Sequence, residues 1–234
     1  MEDHRRIEVV DDVPAAAAER IAAAVRAGGH IALSGGSTPK AAHERVAGME
    51  LDWSAVHLWF GDDRAVPPDH EHSNYRMAKE SLLDRISGQG PAVHRIRGEL
   101  DPEAAAGAYE MELFEHLGDH QPPVLDLLLL GLGPDAHTAS LFPRDPALSE
   151  LERWVVPVER PGMPPLVARV TLTLPVLEAA SRTVFLISGE DKAEAVVRAF
   201  GGPPDPAAPA SLVQSDDLTV LLDPPAASLL GEPR

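Results

Sequence analysis

The stretch LLLGLGPDAHTASLFP, residues 128–143, gives the strongest indication of the fold. The run 126–133 is apolar almost throughout, which is typical of a strand covered on both faces of a parallel sheet. Two glycines end this run, and an aspartate and a histidine follow directly. Ligands of open α/β sheets bind beyond the carboxyl ends of the strands. The stretch therefore predicts a buried central strand whose carboxyl end carries polar chemistry.

Short apolar runs alternate with longer helical patterns along the rest of the chain. This alternation predicts βαβ units and an α/β, Rossmann-like fold, with a mainly parallel sheet and helices on both faces. No repeat or clear linker interrupts it, so residues 1–234 are expected to form a single domain. The expected strands span 7–10, 30–35, 56–62, 93–96, 126–133, 154–158, 168–174, 183–189 and 218–223. The expected helices span 14–27, 38–48, 73–85, 101–117, 175–180 and 190–200.

Composition and charge narrow the class of protein. The chain is 44% hydrophobic and contains no cysteine, so we expect a real core without disulfides or thiolate metal sites. We see no apolar segment of a secretion signal near the N-terminus and no run approaching the ~20 residues of a membrane span. A net charge of −17 argues against nucleic acid and anionic membranes as partners. A cytoplasmic protein is expected, and its oligomeric state is not readable from the sequence.

The segment ALSGGSTPK, residues 32–40, joins an apolar run to a predicted helix. Glycine lets the backbone approach a ligand closely, and free N–H groups at a helix start attract phosphate or carboxylate groups. A plain strand-to-helix turn with a Ser/Thr cap explains the segment equally well, so both interpretations stay open at this point. The candidate ligand-binding residues are Ser34, Gly35, Gly36, Ser37 and Thr38.

The segment WFGDDRAVPPDHEHSNYRMA, residues 59–78, places two acids and an arginine at the end of a predicted strand. The planar guanidinium of Arg64 suits a phosphate or carboxylate. Asp62 or Asp63 would orient that group or bond sugar hydroxyls, and Asn74 lies at the predicted start of the next helix. A solvated turn with a salt bridge is the alternative. The spacing within DHEH is poor for metal ligands, so no metal is expected there.

His137 is the candidate general base. Histidine is the side chain best suited to proton transfer near neutral pH. A lone loop histidine is more often structural, but His137 comes two residues after Asp135 and just past a buried strand and a Gly-x-Gly. We therefore expect a catalytic His137 with Asp135 beside it.

Two cations late in the chain are further candidates. Arg169 lies at the start of the alternating strand 168–174, and Lys192 lies in the first turn of a predicted helix. A lysine at a helix start opposes the helix dipole, and its placement makes more sense if an anion binds at the same terminus. A solvated surface lysine is the alternative interpretation of Lys192.

Together these segments resemble the 6-phosphogluconolactonase family, within the wider superfamily that includes glucosamine-6-phosphate deaminases. The matching motifs follow the family's order from about residue 32 to residue 195, and HTASLFP is the most specific of them. The motifs are SGGSTP, FGDDRAVPPDHEHSNY, HRIRGELDPEAAAGAYE, GLGPDAHTASLFP, ARVTLTLP and ISGEDKA.

The resemblance implies the α/β fold of glucosamine-6-phosphate deaminases and ribose-5-phosphate isomerases. It also implies hydrolysis of 6-phospho-D-glucono-1,5-lactone to 6-phosphogluconate, the second step of the oxidative pentose phosphate pathway. Nothing in the sequence demands a cofactor or a metal, and the expected partner is the sugar phosphate alone. The family usually has Glu in place of Asp63 and Gly in place of Ala136. The side chain of Asp63 is shorter than that of Glu and would weaken a contact that requires the longer side chain. Ala136 would be strained if its φ is positive.

The roles follow from the chemistry of an activated ester, which requires no covalent nucleophile. His137 is predicted to take a proton from the attacking water and to return it to the ring oxygen. Arg64, or backbone N–H groups near Gly35, would stabilise the tetrahedral oxyanion. Arg169 and Lys192 would hold the 6-phosphate.

Two rival functions stay open. A glucosamine-6-phosphate deaminase shares the fold and a Gly-Asp-Gly-His-like motif, but that motif continues toward Ile-Ala-Phe-Asn-Glu. This chain has TASLFP after its histidine and lacks the glutamate that ring opening would use. The second rival is a non-catalytic sugar-phosphate sensor, which would usually carry a DNA-binding domain for which this acidic chain has no spare length.

Overall fold

In the computed structural model, which describes residues 5–118 and 122–231, two sheets organise the chain. Residues 1–4, at the N-terminus where no secretion signal is expected, lie outside the described residues. The strands are β1 (Arg5–Val9), β2 (Gly29–Leu33), β3 (Val56–Phe60), β4 (Asp62–Arg64), β5 (Ala92–Val93), β6 (Leu127–Leu130), β7 (Val155–Val158), β8 (Arg169–Leu172), β9 (Thr183–Ile187) and β10 (Leu218–Leu222).

Helices connect most of these strands. The α-helices are α1 (Val13–Ala27), α2 (Ser37–Val46), α3 (Asn74–Ser81), α4 (Pro102–Leu117), α5 (Leu174–Ala179), α6 (Ala193–Phe200) and α7 (Pro224–Ala227). Helix α4 starts as its sequence predicts, because Asp101 caps the first turn and proline follows it. In the described part of the chain, no helix is both long and apolar enough to cross a membrane.

The large sheet has the strand order β1-β10-β9-β6-β2-β3-β5, and each neighbouring pair is parallel. From β2 the chain winds outward to β3 and β5. It then returns to β6 on the other side of β2 and winds outward to β9 and β10. The winding reverses between β2 and β6, and such a reversal is where open α/β sheets bind their ligands.

The central strands of this sheet are fully covered. Strands β6, β9 and β10 are buried at every position and belong to a cluster of buried hydrophobic residues. Only a strand packed on both faces can be apolar throughout. The predicted α/β fold with a mainly parallel sheet is thus confirmed.

The predicted single strand 56–62 is wrong, because the chain changes sheets at Gly61. The N–H group of Gly61 donates to Leu33 O at 3.0 Å in the large sheet. Its carbonyl accepts from the N–H group of Leu172 at 2.9 Å in the small one. The small sheet, β4-β8-β7, is antiparallel, and hydrophobic periodicity alone did not reveal it.

Three other helices and strands have boundaries that differ from the predicted ones for local reasons. The predicted strand 93–96 shrinks to β5, because the chain leaves the sheet after His94 donates its N–H to Leu58 O at 2.8 Å. The predicted helix 73–85 ends at Ser81 and continues as a separate 3-10 turn. The predicted helix 190–200 begins as a 3-10 turn before α6.

Candidate active site

A cavity of ≈240 Å³ opens at the carboxyl ends of β2 and β6, where the winding of the sheet reverses. Polar groups from both sheets and from the loops between them form its wall. Nine of the residues predicted from the sequence line it: Ser34, Gly35, Gly36, Asp62, Arg64, Asn74, His137, Arg169 and Lys192.

His137 is held in one tautomer by Asp135, which lies behind it rather than on the cavity wall. The Asp135 carboxylate accepts hydrogen bonds from the His137 backbone N–H at 3.2 Å and from its Nδ1. A proton on Nδ1 leaves a lone pair on Nε2, as a general base requires. Burial alone would raise the pKa of Asp135, but the bonds from His137 outweigh it and keep this pKa below its ordinary value.

The loop before His137 is a tight turn with no space for a side chain at Gly133. Ala136 donates its N–H to Gly133 O, and Gly133 donates to His137 O, both at 2.9 Å. A Cβ on Gly133 would lie 2.0 Å from Cε1 and Nδ1 of His137, so only glycine fits beneath the ring. Ala136 has φ = 65°, where alanine is strained by about 1–2 kcal/mol. The positive φ that would strain Ala136 is therefore present.

Asp63 organises the start of α3. Its carboxylate accepts from the backbone N–H groups of Asn74 (2.6 Å), Tyr75 (3.0 Å) and Arg64 (2.7 Å) and from Ser73 Oγ (3.2 Å). Burial raises the pKa of Asp63 to about 6, against the opposing effect of the backbone N–H groups, so it is a carboxylate at neutral pH. The short side chain of Asp63 thus accepts hydrogen bonds from four donors.

This capping in turn positions Asn74 and Arg64. Asn74 donates to Asp62 O at 2.9 Å and accepts from Arg64 Nη1 at 2.9 Å, and Arg64 also donates to His72 O at 2.8 Å. Asn74 packs against the first loop so closely that a Cβ on Gly35 would lie 2.1 Å from Asn74 Oδ1. Glycine is thus required at position 35 because the Asn74 side chain of α3 occupies the space of a Cβ atom.

Replacing Asp63 with asparagine should destabilise the chain by about 1–3 kcal/mol, because an amide NH₂ would face donors that now find a carboxylate oxygen. Activity should fall as well, because Arg64 and Asn74 lose their anchor. Urea unfolding and lactone turnover measure the two effects. Asp69→Asn, an exposed change in the same loop, is the matched control. Equal stability of the two variants would contradict the role of Asp63.

Ser140 is a site residue that sequence reasoning did not assign. Its hydroxyl donates to Asp62 Oδ2 at 2.5 Å, and its backbone N–H donates to Thr171 Oγ1 at 3.1 Å. Ser140 is fully buried, so it holds Asp62 in place rather than acting as a nucleophile. Asp62 and Ser140 are 78 positions apart, and no local pattern could have paired them.

Arg64 and Arg169 face each other across β4 and β8 of the small sheet. Like charges directly opposite each other on neighbouring strands destabilise a sheet unless an anion offsets them. Arg169 donates to Met163 O at 3.1 Å and Pro165 O at 3.3 Å. Burial lowers the pKa of Arg169, nearby Asp62 opposes this shift, and the guanidinium stays charged.

Both guanidinium groups have unused hydrogen-bonding capacity. Within the described ranges, the Nε atoms of Arg64 and Arg169 are buried without a hydrogen-bond partner. A buried unpaired donor is rare in native proteins and calls for an explanation. Two opposed cations with unmet donors on a cavity wall indicate an anionic ligand.

Lys192 reaches the cavity, whereas Ser37 and Thr38 do not line it. Lys192 reaches the wall from the start of α6, with its side chain 25% exposed and Asp191 Oδ2 3.9 Å away. Ser37 and Thr38 line a separate neighbouring depression that also includes Ser188 and Asp223. Their role as ligand-binding residues stays a prediction.

A parallel α/β sheet with a histidine–aspartate pair and three cations around one cavity defines an enzyme for a small anionic substrate. A family model described as "Glucosamine-6-phosphate isomerases/6-phosphogluconolactonase" matches residues 4–222. The chain belongs to this family.

Individual relatives agree with this assignment. A 6-phosphogluconolactonase of Synechocystis sp. is 41% identical over 207 residues, which cover 86% of this chain and 85% of that protein. The structure of 6-phosphogluconolactonase from Trypanosoma cruzi is 31% identical, covers 98% of both chains and gives a TM-score of 0.85. A monomeric glucosamine-6-phosphate deaminase superposes with a TM-score of 0.81 at 23% identity, which shows a shared fold alone. The family resemblance drawn from the motifs is confirmed.

Proposed function

We propose that this chain hydrolyses 6-phospho-D-glucono-1,5-lactone to 6-phospho-D-gluconate, the second step of the oxidative pentose phosphate pathway. The observation that carries the proposal is the cavity itself. It combines a histidine held by a carboxylate with two arginines whose donors are unmet. The lactone needs a base for its attacking water and cations for its phosphate and its developing oxyanion.

The attack on the lactone begins at His137. Its Nε2 takes a proton from water as the water oxygen bonds to C1, and the carbonyl oxygen becomes a tetrahedral oxyanion. Asp135 stabilises the imidazolium that forms, because its carboxylate already accepts from Nδ1. Protonated His137 then returns the proton to the ring oxygen as the C1–O bond breaks. No cofactor takes part in these steps.

The cations of the site stabilise the oxyanion and bind the phosphate. Arg64, locked by Asn74 and His72, stabilises the oxyanion in concert with backbone N–H groups near Gly35. Arg169 and Lys192 hold the 6-phosphate in a chain whose overall charge of −17 would otherwise repel it. Asp62, held by Ser140, orients sugar hydroxyls.

A coupled assay tests the proposed reaction. Glucose-6-phosphate dehydrogenase generates the lactone in place, and the spontaneous opening of the lactone is subtracted. Turnover above the spontaneous rate is the expected result. Ammonia release from glucosamine 6-phosphate, without lactone turnover, would overturn the proposal in favour of a deaminase. Ligand binding without turnover of either substrate would favour a sensor.

Lys192→Ala should raise KM for the phosphorylated lactone by about 10-fold and leave kcat largely unchanged, because a charge-assisted bond to phosphate is lost. Its KM for unphosphorylated glucono-1,5-lactone should not change. Lys40→Ala removes an exposed lysine of α2 that lies away from the cavity wall and serves as the control. An unchanged KM for the phosphorylated substrate in Lys192→Ala would remove Lys192 from the phosphate site.

The proposal includes a single domain over residues 1–234 and a cytoplasmic location. One cluster of buried hydrophobic residues that draws on both sheets supports the single domain. A cysteine-free composition is in keeping with a reducing compartment.

A further inference from the structure

Three histidines form a cluster at the edge of the large sheet, away from the cavity. His57 lies near the amino end of β3, His94 directly follows β5, and His116 lies in the last turn of α4. One ring nitrogen from each lies within 4.8 Å of the others. His57 precedes Asp62 by five residues, about 16 Å along an extended strand, so the cluster is separate from the proposed active site.

One hydrogen bond of the cluster already has the arrangement found around a metal ligand. His94 Nδ1 bonds Glu112 Oε1 at 2.7 Å, which fixes the proton on Nδ1 and directs the Nε2 lone pair toward His57. His57 Nδ1 and His94 Nε2 are 2.9 Å apart. A histidine that ligates a metal through one nitrogen almost always donates its other N–H to a carboxylate, carbonyl or water.

We propose that His57, His94 and His116 bind a divalent transition-metal ion of the Zn²⁺ class, with Glu112 orienting His94. Neutral imidazole nitrogens are the ligands that Zn²⁺ shares with Cu²⁺ and Ni²⁺, and three of them leave a fourth position for water. The ion replaces the proton shared between His57 and His94, and that proton moves to the other nitrogen of His57.

The geometry allows the ion to enter with little rearrangement. At Zn–N distances of 2.0–2.1 Å, two ligand nitrogens of a tetrahedral ion lie about 3.4 Å apart. Two of the three nitrogens are already closer than this. His116 is exposed, so a rotation of its side chain closes the site, whereas His94 is buried and preset. The ion would join α4 and the two-residue edge strand β5 to β3, where few backbone hydrogen bonds hold them.

Trp59 provides a local reporter of binding. Its buried ring stacks on the ring of His94, with centroids 3.9 Å apart. A paramagnetic ion bound to His94 lies close enough to quench the fluorescence of this tryptophan. The chain has three tryptophans, so quenching by Cu²⁺ or Co²⁺ reports on this site where it is lost in His116→Ala.

The test uses the full chain without a histidine tag, freed of metal by a chelator and titrated with ZnSO₄ by calorimetry. One Zn²⁺ per chain, a higher Tm and quenching by Co²⁺ are expected. His116→Ala changes an exposed side chain, so it should fold and yet bind Zn²⁺ more than 10-fold more weakly. Glu112→Gln should weaken binding about 10–100-fold. Lactone turnover should be the same in His116→Ala as in the original chain.

His70→Ala is the matched control, because His70 belongs to a second histidine pair, with His72, in the loop before α3. This variant should bind Zn²⁺ as the original chain does. Absence of stoichiometric binding, or equal binding by His116→Ala, would overturn the proposal. Loss of binding in His70→Ala alone would assign the metal to the loop instead.

Discussion

His137→Ala should lower kcat for the phosphorylated lactone by about 10²–10⁴-fold and change KM only modestly. This is the usual range for removing a general base, and the lost group acts on water rather than on the bound sugar. Asp135 would remain but would have no ring to orient. The coupled assay measures the effect once spontaneous opening of the lactone has been subtracted.

Chemical rescue separates a lost base from a damaged fold. The alanine leaves space at the cavity wall, so added imidazole should restore part of the rate in His137→Ala and none in the original chain. His116→Ala removes a histidine outside the cavity and should keep full activity. A His137→Ala variant with near-normal kcat would exclude this residue as the base.

Gly133→Ala should lower kcat by about 100-fold while the protein stays folded. A methyl group there would occupy the place of the His137 ring, at 2.0 Å from two of its atoms. The ring can turn away, which relieves the clash but breaks its bond to Asp135 and removes Nε2 from the attacking water. A displacement of about 1 Å in a catalytic group costs on this order in rate.

Steady-state kinetics and near-UV circular dichroism test this second prediction together. Gly107→Ala, in α4, adds the same methyl group with no atom within 4 Å and should change nothing. An active Gly133→Ala would show that the ring tolerates another position. An unfolded one would show that the turn, rather than the ring, requires glycine. Combining Gly133→Ala with His137→Ala should cost little beyond His137→Ala alone, because both remove the same function.

The strain at Ala136 was foreseeable only in part. The sequence showed alanine where the family has glycine, but the sign of its φ depends on how the turn closes onto Gly133 and His137. The structure places Ala136 at φ = 65° with its methyl group buried in the core. Burial of the methyl group offsets some of the backbone strain, which explains how the turn accommodates alanine.

The strand pairing of the small sheet could not be predicted from the sequence. Two of its strands, β7 and β8, lie within segments that were predicted as strands, whereas only Asp62 of β4 does. Hydrophobic periodicity reports which faces are buried and carries no information about which strands pair. The opposition of Arg64 and Arg169, which carries the case for an anionic ligand, follows from that pairing alone.

By itself the sequence determined the features that depend on near neighbours in the chain. These are the alternation of most strands and helices, the buried run before Gly131 and the placement of Asp135 two residues before His137. Tertiary structure alone decided the contacts between distant segments, such as Ser140 with Asp62 and His57 with His94. The physical reason is that local propensity acts over one turn or one strand, whereas side chains far apart in the chain meet only once packing has set the strand register.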